Sequence, residues 1–286
     1  MNNHYQRKAT EAAQKALFYE VSLSPKPGLV DRLTNGAHQD MDFYTFIDSI
    51  ISLTPFFSDY FAAGFTHQGS LDTLFDQLRS IGQLAESAMF AATKNINTHK
   101  GANFSLAILL GATGKYLQTH TLPLQPKDTT AIFQLSSDLT VDLIQKDFQH
   151  IGEKSSLTHG ERLFIEKGIT GIRGEAAKGY PVLSSLLLPF LRKNRHLSKE
   201  ELLLRALVLL MSEVEDGNIL HRGGFEAWQT VKKETKLLHE SQFTKDELLI
   251  RLHSYDLELT ARNLSPGGTA DLLALGIYFA ILEELF

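Results

Sequence analysis

The sequence predicts an all-α protein: a single compact domain, residues 1–286, of roughly ten to twelve helices. Apolar residues recur at intervals of three and four along most of the chain, which is the spacing of an amphipathic helix. Strand signals are few, and Pro123 argues against the one modest candidate, HTLPL, because proline cannot donate to a sheet. With 286 residues, 43% of them hydrophobic and 21% charged, the chain is long enough for a substantial core.

The predicted helices follow one another with short connections between them. Residues 5–23 form the first, and six of its apolar residues share one side: Ala9, Ala12, Ala13, Ala16, Leu17 and Val21. The second covers residues 41–64, where Pro55 allows an interruption. The others are predicted over residues 71–94, 104–117, 126–150, 156–167, 181–193, 198–214, 224–238, 244–261 and 268–285.

Charge and composition exclude several classes of protein. A net charge of -5 argues against general nucleic-acid binding, which needs a basic face. The absence of cysteine excludes disulfides, thiolate metal sites and cysteine nucleophiles. The polar N-terminus MNNHYQRKAT lacks the apolar run of a signal peptide, and no apolar stretch reaches the roughly 18 to 20 residues of a membrane span. We therefore expect a cytoplasmic protein.

Six connections carry glycine together with charged or amide side chains, and they predict a loop-lined active site. A rigid scaffold can aim residues from loops, so such loops are often functional. The six are LSPKPGLVDRLTNGAHQDM (23–41), NINTHKGANF (95–104), LTHGERLF (157–164), GITGIRGEAAKGYP (168–181), EVEDGNILHRGG (213–224) and NLSPGGTADLLA (263–274).

The last of these connections has the pattern of a phosphate site at a helix start. Ser265 is the expected N-cap and Pro266 the first helical residue. Gly267 and Gly268 would let the backbone approach a ligand closely, and the free N–H groups of the helix favour an anion. The alternative interpretation is a well-capped helix that binds nothing.

Lysine beside glycine suggests phosphate binding at a second helix start, where Lys100 and Gly101 precede an apolar helix. The spacing of a P-loop is absent there. It also fails in GATGKY, where Leu109 occupies the position of the first glycine and Tyr116 replaces serine or threonine. We therefore exclude a P-loop ATPase.

The connections also hold candidate acids, bases and metal ligands. The histidines are His38, His99, His159 and His221, and none has the HxxxH spacing of a helical metal site, so a loop histidine bonded to backbone is the alternative. Carboxylates at or beside the helix junctions are candidate magnesium ligands or a base, with helix capping as the alternative: Glu20, Asp31, Asp40, Glu175, Asp216 and Asp271. Arginines that could grip phosphate, or form surface ion pairs, are Arg32, Arg173 and Arg222.

Taken in order, the loops resemble those of the triphosphoribosyl-dephospho-CoA synthases, helical enzymes that serve citrate lyase and, in close relatives, malonate decarboxylase. The resemblance extends from about Glu20 to Ala274. It is carried by SPKPGLVDRLTNGAHQDM, NTHKGANF, THGE, GIRGEAAKGYP, DGNILHRGG and NLSPGGTADLLA. It implies that the 2'-hydroxyl of 3'-dephospho-CoA attacks the anomeric carbon of ATP, releasing adenine and giving 2'-(5''-triphosphoribosyl)-3'-dephospho-CoA.

The resemblance and the residue inventory together give role assignments, which are hypotheses. The proposed catalytic residues are Asp31, His38, His99, Glu175 and His221. The proposed substrate and phosphate ligands are Lys26, Arg32, Lys100, Arg173, Arg222, Asn218, Ser265, Gly267 and Gly268. Mg²⁺ is the expected cofactor, with Asp31, Asp40, Glu175 and Asp216 as its ligands.

The expected partners are ATP, 3'-dephospho-CoA and a separate transferase that loads the product onto an acyl-carrier protein, and a homodimer is conceivable. No nucleic acid or membrane is expected. Two rival functions stay open. One is a magnesium-dependent nucleotide hydrolase or phosphotransferase on the same helical frame, and the other is a non-catalytic scaffold whose loops bind a protein.

Overall fold

A computed structural model describes residues 2–144, 162, 164–165 and 168–286. Over those ranges eleven α-helices have defined bounds and no strand occurs, which confirms the predicted fold class and number of helices. A π-helical segment, Val182–Leu187, leads directly into the seventh helix. The helices are α1 (Asn2–Ser22), α2 (Phe43–Thr66), α3 (Leu71–Ala92), α4 (Lys100–Tyr116), α5 (Pro126–Leu139), α6 (Gly171–Ala177), α7 (Leu188–Lys193), α8 (Lys199–Glu213), α9 (Gly217–Glu240), α10 (Lys245–Ala261) and α11 (Gly267–Leu282).

Short polar side chains begin several helices by satisfying their free N–H groups. At α2, Oδ1 of Asp42 accepts the Thr45 N–H at 2.9 Å, and the Thr45 hydroxyl accepts the Asp42 N–H at 3.3 Å. The interruption considered at Pro55 does not occur, because α2 continues to Thr66. The carbonyl that Pro55 leaves unbonded belongs to Ile51, which is exposed, so water can satisfy it.

The core is built around α4 and α11, which are buried along nearly their whole length. Helix α1 packs against α11 and α2, while α2 also packs against α3 and α4. The six apolar residues that predicted the buried side of α1 are each at most 1% exposed, which confirms that prediction. No helix in the described part of the chain is both long and apolar enough to cross a membrane.

Helices extend into four of the predicted connections, two of which hold the starts of α4 and α11. Helix α9 begins at Gly217, inside the stretch predicted as a loop, and its backbone breaks only at Gly224, where φ is +77°. His221 and Arg222 therefore lie on its first turns. Helix α6 lies within the predicted 168–181 connection. Helix α5 ends at Leu139, earlier than the predicted 126–150 helix. Residues 145–150 lie outside the described part of the chain, as do nearly all of the predicted helix 156–167, His159 and the THGE motif.

Candidate active site

The N-termini of α9 and α11 are joined by one buried carboxylate, that of Asp216. Its Oδ1 accepts the N–H groups of Asn218 and Ile219, in the first turn of α9, at 2.9 and 3.1 Å. Its Oδ2 accepts the N–H and the hydroxyl of Thr269, in the first turn of α11, at 2.7 and 2.9 Å. Asp216 therefore caps two helices at once, and burial raises its pKa.

Ser265, the predicted cap of α11, makes no capping bond. Pro266 occupies the N-cap position, and Gly267, rather than Pro266, is the first helical residue. The prediction is wrong because Asp216, which lies about 50 positions earlier in the chain, supplies the cap from a neighbouring helix. The Ser265 hydroxyl instead contacts Nε2 of His38 at 2.9 Å.

The N-terminus of α4 meets those of α9 and α11 through Asp271, which lies on α11. The Asp271 carboxylate accepts a hydrogen bond from the Ala102 N–H, in the first turn of α4. Gly101 lies so close to it that a Cβ at that position would come within 2.1 Å of Asp271 Oδ2. In the same way, a Cβ at Gly267 would lie 2.5 Å from Nδ2 of Asn218. These two glycines thus let the N-termini of three helices come together.

The end of α1 adds a third carboxylate, that of Glu20, to the buried Asp216 and the half-buried Asp271. Glu20 is 3% exposed and pairs with Nζ of Lys26, which belongs to the 23–41 connection and is 1% exposed. Burial raises the pKa of Glu20 in spite of the lysine charge. Burial also raises the pKa of Asp271 well above its usual range, and the charges of Glu20 and Asp216 raise it further. The three carboxylates are thus close enough to interact.

His99 completes the group, which we call the terminal cluster: Glu20, Lys26, His99, Asp216 and Asp271. His99 precedes α4 and is 3% exposed. Its Nδ1 lies 2.7 Å from Oγ of Ser49, and within the described part of the chain its Nε2 has no hydrogen-bond partner. Burial and the Lys26 charge lower the pKa of His99 to about 3, so the ring is neutral at pH 7. It is therefore not the protonated acid that we expected.

The neutral state of His99 predicts a pH dependence of stability. An unfolded chain protonates histidine near pH 6.5, but His99 does so only near pH 3 in the fold. The stability that comes from the neutral His99 is complete above pH 6.5 and falls with the pH below it. The loss amounts to about 2 kcal/mol at pH 5. The raised pKa values of Glu20, Asp216 and Asp271 act in the opposite direction.

A comparison of the wild-type protein with His99→Gln isolates this effect from that of the carboxylates. Urea unfolding at pH 7 and pH 5 should show the variant losing about 2 kcal/mol less stability than the wild type over that interval. An equal loss in both proteins would mean that His99 titrates normally in the fold.

The 23–41 connection is held together from within by Asp31. Its Oδ2 accepts the Lys26 N–H at 2.9 Å, and its Oδ1 accepts the N–H groups of Leu33 and Thr34 at 2.7 and 3.0 Å. Three backbone donors thus occupy the carboxylate that we expected to bind metal or act as a base. The immediate role of Asp31 is to shape the segment that carries Lys26.

Asp256 on α10 holds the same connection from outside, a contact that no sequence pattern predicted. Its Oδ1 accepts the Gly28 N–H at 2.9 Å, and its Oδ2 accepts the Thr34 hydroxyl at 3.0 Å. Burial raises its pKa. A lone aspartate in the middle of an amphipathic helix resembles any solvent-facing residue, so no sequence signal could have identified it.

Arg222 ties the far end of the connection to α9 and to the turn before α11. Its guanidinium donates to the Ala37 carbonyl at 2.7 Å, to Oδ1 of Asn263 at 3.0 Å and to Nδ1 of His38 at 3.3 Å. Burial, together with the Arg222 charge, lowers the pKa of His38. The predicted phosphate ligand is thus engaged in holding three segments together.

The other predicted residues lie outside the terminal cluster. Lys100 pairs with Glu86 of α3 at 2.7 Å. Arg173 lies over the Phe104 ring, 5.5 Å from its centroid, and Glu175 accepts the Val182 N–H at 3.2 Å. Burial raises the pKa of Glu175. Three further residues have exposed positions, two on the 23–41 connection and one on α9: Arg32, Asp40 and His221.

The predicted magnesium ligands do not converge. Among the residues that the structure describes, no three histidine or carboxylate side chains are arranged to hold a metal ion. The carboxylate of Asp216 already accepts four hydrogen bonds, and that of Asp31 accepts three. A carboxylate offers about four acceptor positions, so Asp216 has none left for a metal. The donor set does not fit a metal held by protein side chains alone.

The structure thus brings helix N-termini together with carboxylates, a lysine and a neutral histidine. Such a polar site at the helix ends is typical of a helical enzyme. Residues 6–286 match the family model described as ATP:dephospho-CoA triphosphoribosyl transferase. The chain therefore belongs to that transferase family, the one its loops predicted.

Its curated relatives carry matching names. A protein of Streptococcus equi subsp. zooepidemicus (strain MGCS10565), named probable 2-(5''-triphosphoribosyl)-3'-dephosphocoenzyme-A synthase, is 53% identical over 280 residues, or 95% of each chain. Proteins with the same name are 51% identical in Streptococcus pyogenes serotype M5, over 96% of this chain and 97% of theirs, and 50% identical in Streptococcus mutans, over 96% and 95%. No solved structure matches the chain significantly.

Proposed function

We propose that the terminal cluster is the active site in which the triphosphoribosyl group of ATP passes to the 2'-hydroxyl of 3'-dephospho-CoA. The observation that carries this proposal is the meeting of helix N-termini around Asp216 and Asp271, together with His99, the N-cap residue of α4, whose buried Nε2 has no partner in the described structure. Helix N-termini attract phosphate. An unpaired buried donor costs about 1–3 kcal/mol, which a substrate acceptor would relieve.

The reaction exchanges one bond at the anomeric carbon for another. The C1'–N9 bond of ATP breaks and its electron pair leaves with adenine, while the 2'-hydroxyl oxygen forms a new bond to C1'. The proton that the hydroxyl loses balances the one that adenine gains. The carbon acquires oxocarbenium character, which nearby carboxylates stabilise.

Asp271 is the residue we propose for proton transfer. Among the described residues, the Ala102 N–H is the one hydrogen-bond donor found for Asp271, whereas Asp216 has four donors. A carboxyl group whose pKa is raised by burial and by neighbouring carboxylates accepts a proton more readily than an ordinary carboxylate does. Burial of the cluster also keeps out water, which would otherwise hydrolyse ATP to adenine.

Magnesium would enter with ATP, as part of the substrate, because the described residues form no cage for the ion. Mg²⁺ commonly binds through substrate phosphates with only one or two protein carboxylates. Arg32, Lys100 and Arg173 remain proposed phosphate ligands at the border of the site. They belong to the 23–41 connection, the first turn of α4 and helix α6, which packs beside α4.

We further propose that the product serves citrate lyase or malonate decarboxylase after a separate transferase loads it onto an acyl-carrier protein. The resemblance of the loops supports this context. A cytoplasmic location suits substrates such as ATP and dephospho-CoA. Assembly as a homodimer stays a proposal, which sedimentation of the purified protein would test.

The reaction is tested by mass spectrometry of the products formed from ATP and 3'-dephospho-CoA. We expect free adenine and a dephospho-CoA adduct that is heavier by the triphosphoribosyl group, with no adenine released when dephospho-CoA is omitted. Formation of ADP or phosphate would instead favour the nucleotide hydrolase or phosphotransferase. Absence of saturable Mg-ATP binding in calorimetry would favour a scaffold.

A further inference from the structure

Thr98, Ser49 and His99 form a hydrogen-bonded chain of side chains. It ends at Nε2 of His99, which has no partner in the described structure. The Thr98 hydroxyl donates to Oγ of Ser49 at 2.7 Å, and Oγ of Ser49 lies 2.7 Å from Nδ1 of His99. Ser49 lies on α2, and neither its side chain nor that of His99 is accessible to bulk water. The Phe46 ring packs edge-on against the imidazole, with 4.9 Å between the ring centroids, and so restricts its rotation.

The direction of these hydrogen bonds fixes the tautomer of His99. Because Ser49 accepts from Thr98, its own proton is free to be donated, and Nδ1 of His99 is the acceptor within reach. The proton of the neutral imidazole must then be on Nε2. The opposite tautomer would leave both the Ser49 proton and the Nε2 lone pair unsatisfied in the protein interior, so it costs one more buried polar group.

We infer that Ser49 and Thr98 are positioning residues that fix His99 in the Nε2–H tautomer, so that Nε2 donates a hydrogen bond to an acceptor atom of bound ATP. This inference rests on the proposed function, since it requires ATP to bind at the terminal cluster. It gives His99 the role of a fixed donor in place of the predicted acid. A neutral donor held in place by packing needs no reorientation when charge develops on the substrate.

Two acceptors of ATP fit a buried neutral donor. A ring nitrogen of adenine gains negative charge as the C1'–N9 bond breaks, so a donor there accelerates the reaction. A phosphate oxygen carries its charge throughout, so a donor there mainly strengthens binding. A contact with the adenine nitrogen predicts a lower kcat when the donor is misplaced. A contact with the phosphate oxygen predicts a higher Kd for Mg-ATP.

The positioning role is tested with Ser49→Ala, which removes the acceptor that Thr98 uses and the donor that Nδ1 uses. Loss of the partner that orients a metal-bound histidine typically costs about ten- to a hundredfold, and we expect a loss of similar size here in kcat or in Mg-ATP affinity. Ser52→Ala is the matched control. Ser52 lies on the same helix, and in the described structure its hydroxyl donates to a backbone carbonyl, that of Ser49. Equal kinetics in the two variants would overturn the inference.

The tautomer itself is measured on the wild-type protein by NMR of ¹⁵N-labelled histidine, with His99→Gln identifying the resonance. We expect protonated Nε2 and unprotonated Nδ1, and a shift of the Nε2 signal when Mg-ATP is added. A protonated Nδ1 would overturn the inference, and so would an Nε2 signal that ATP leaves unchanged. No helix cap is lost in the reference variant, because the His99 side chain makes no capping bond.

His99→Gln and His99→Asn extend the test to the donor atom. The glutamine amide can reach the place of Nε2, whereas the asparagine amide reaches only that of Nδ1. We expect glutamine to retain at least tenfold more activity than asparagine. Equal activities would contradict the Nε2 donor. If the wild-type protein releases adenine and all three variants are as active as the wild type, only this inference fails. If the wild-type protein binds no ATP, the proposed function fails as well.

Discussion

Replacing Lys26 with methionine should lower the free energy of unfolding by about 3–5 kcal/mol. Lys26 is 1% exposed and its ammonium group pairs with Glu20, which is 3% exposed. Methionine fills a similar volume but leaves the Glu20 carboxylate buried without its counter-charge, beside Asp271 and Asp31. Urea unfolding at pH 7 measures the effect.

Two further variants separate the ion pair from packing. The double variant Lys26→Met/Glu20→Gln removes both charges and should recover much of the lost stability, because a buried pair is often replaceable by neutral groups. Lys15→Met is the matched control: Lys15 is an exposed lysine of α1, and its replacement should change stability by less than about 0.5 kcal/mol. A Lys26 variant as stable as the control would show that the pair does not hold the connection.

Replacing Asp216 with alanine should cost about 2–4 kcal/mol, because one change removes the caps of both α9 and α11. Each N-cap typically contributes about 0.5–2 kcal/mol, and two of the residues whose donors are freed, Ile219 and Thr269, are buried. Asp42→Ala, which removes the single cap of α2, is the control and should cost about half as much. Equal losses for the two variants in urea unfolding would contradict the double cap.

Asp216→Asn distinguishes capping from the predicted metal role. Asparagine can still cap α9 through its carbonyl oxygen, but its amide group would face the Thr269 N–H, so we expect partial loss of stability. A metal ligand would behave differently. If the Asp216→Asn variant kept full stability but required a much higher Mg²⁺ concentration, Asp216 would be a metal ligand as first predicted.

The sequence predicted the architecture well because helical periodicity is a local property. The spacing of alanines in α1 fixes which side is buried, and the structure buries all six predicted residues. Cap residues at α2 and α10 are equally local, since Asp42 and Thr244 each act on N–H groups three residues ahead. Such signals need no knowledge of the rest of the chain.

The site was predicted as a set of loops but not as a set of contacts, because its contacts join distant segments. Ser265 carries a good capping sequence, yet Asp216 caps α11 from another helix. Lys100 and Arg222 suggested phosphate binding, but each has a partner from elsewhere in the chain, Glu86 for Lys100 and Ala37 for Arg222. Residue type indicates what a side chain can bind, but the fold determines which groups it contacts.

The buried donor of His99 shows the same limit in another form. Its position in a glycine-containing connection marked it as functional, but its charge state depends on burial and on Lys26, which lies more than 70 residues earlier. The contacts with Ser49 and Phe46 come from α2 and carry no motif. The sequence could therefore nominate the residue and not its role.

A crystal structure with ATP and a 2'-deoxy analogue of dephospho-CoA, which lacks the attacking hydroxyl, tests the central claim most directly. We expect the triphosphate beside the N-termini of α4 and α11, the anomeric carbon facing Asp271, and an ATP acceptor atom within hydrogen-bond distance of His99 Nε2. The structure also has a cavity of about 390 Å³, away from the terminal cluster, whose walls include Phe190, Arg205 and Phe243. ATP bound there, with the terminal cluster free of substrate, would contradict the account.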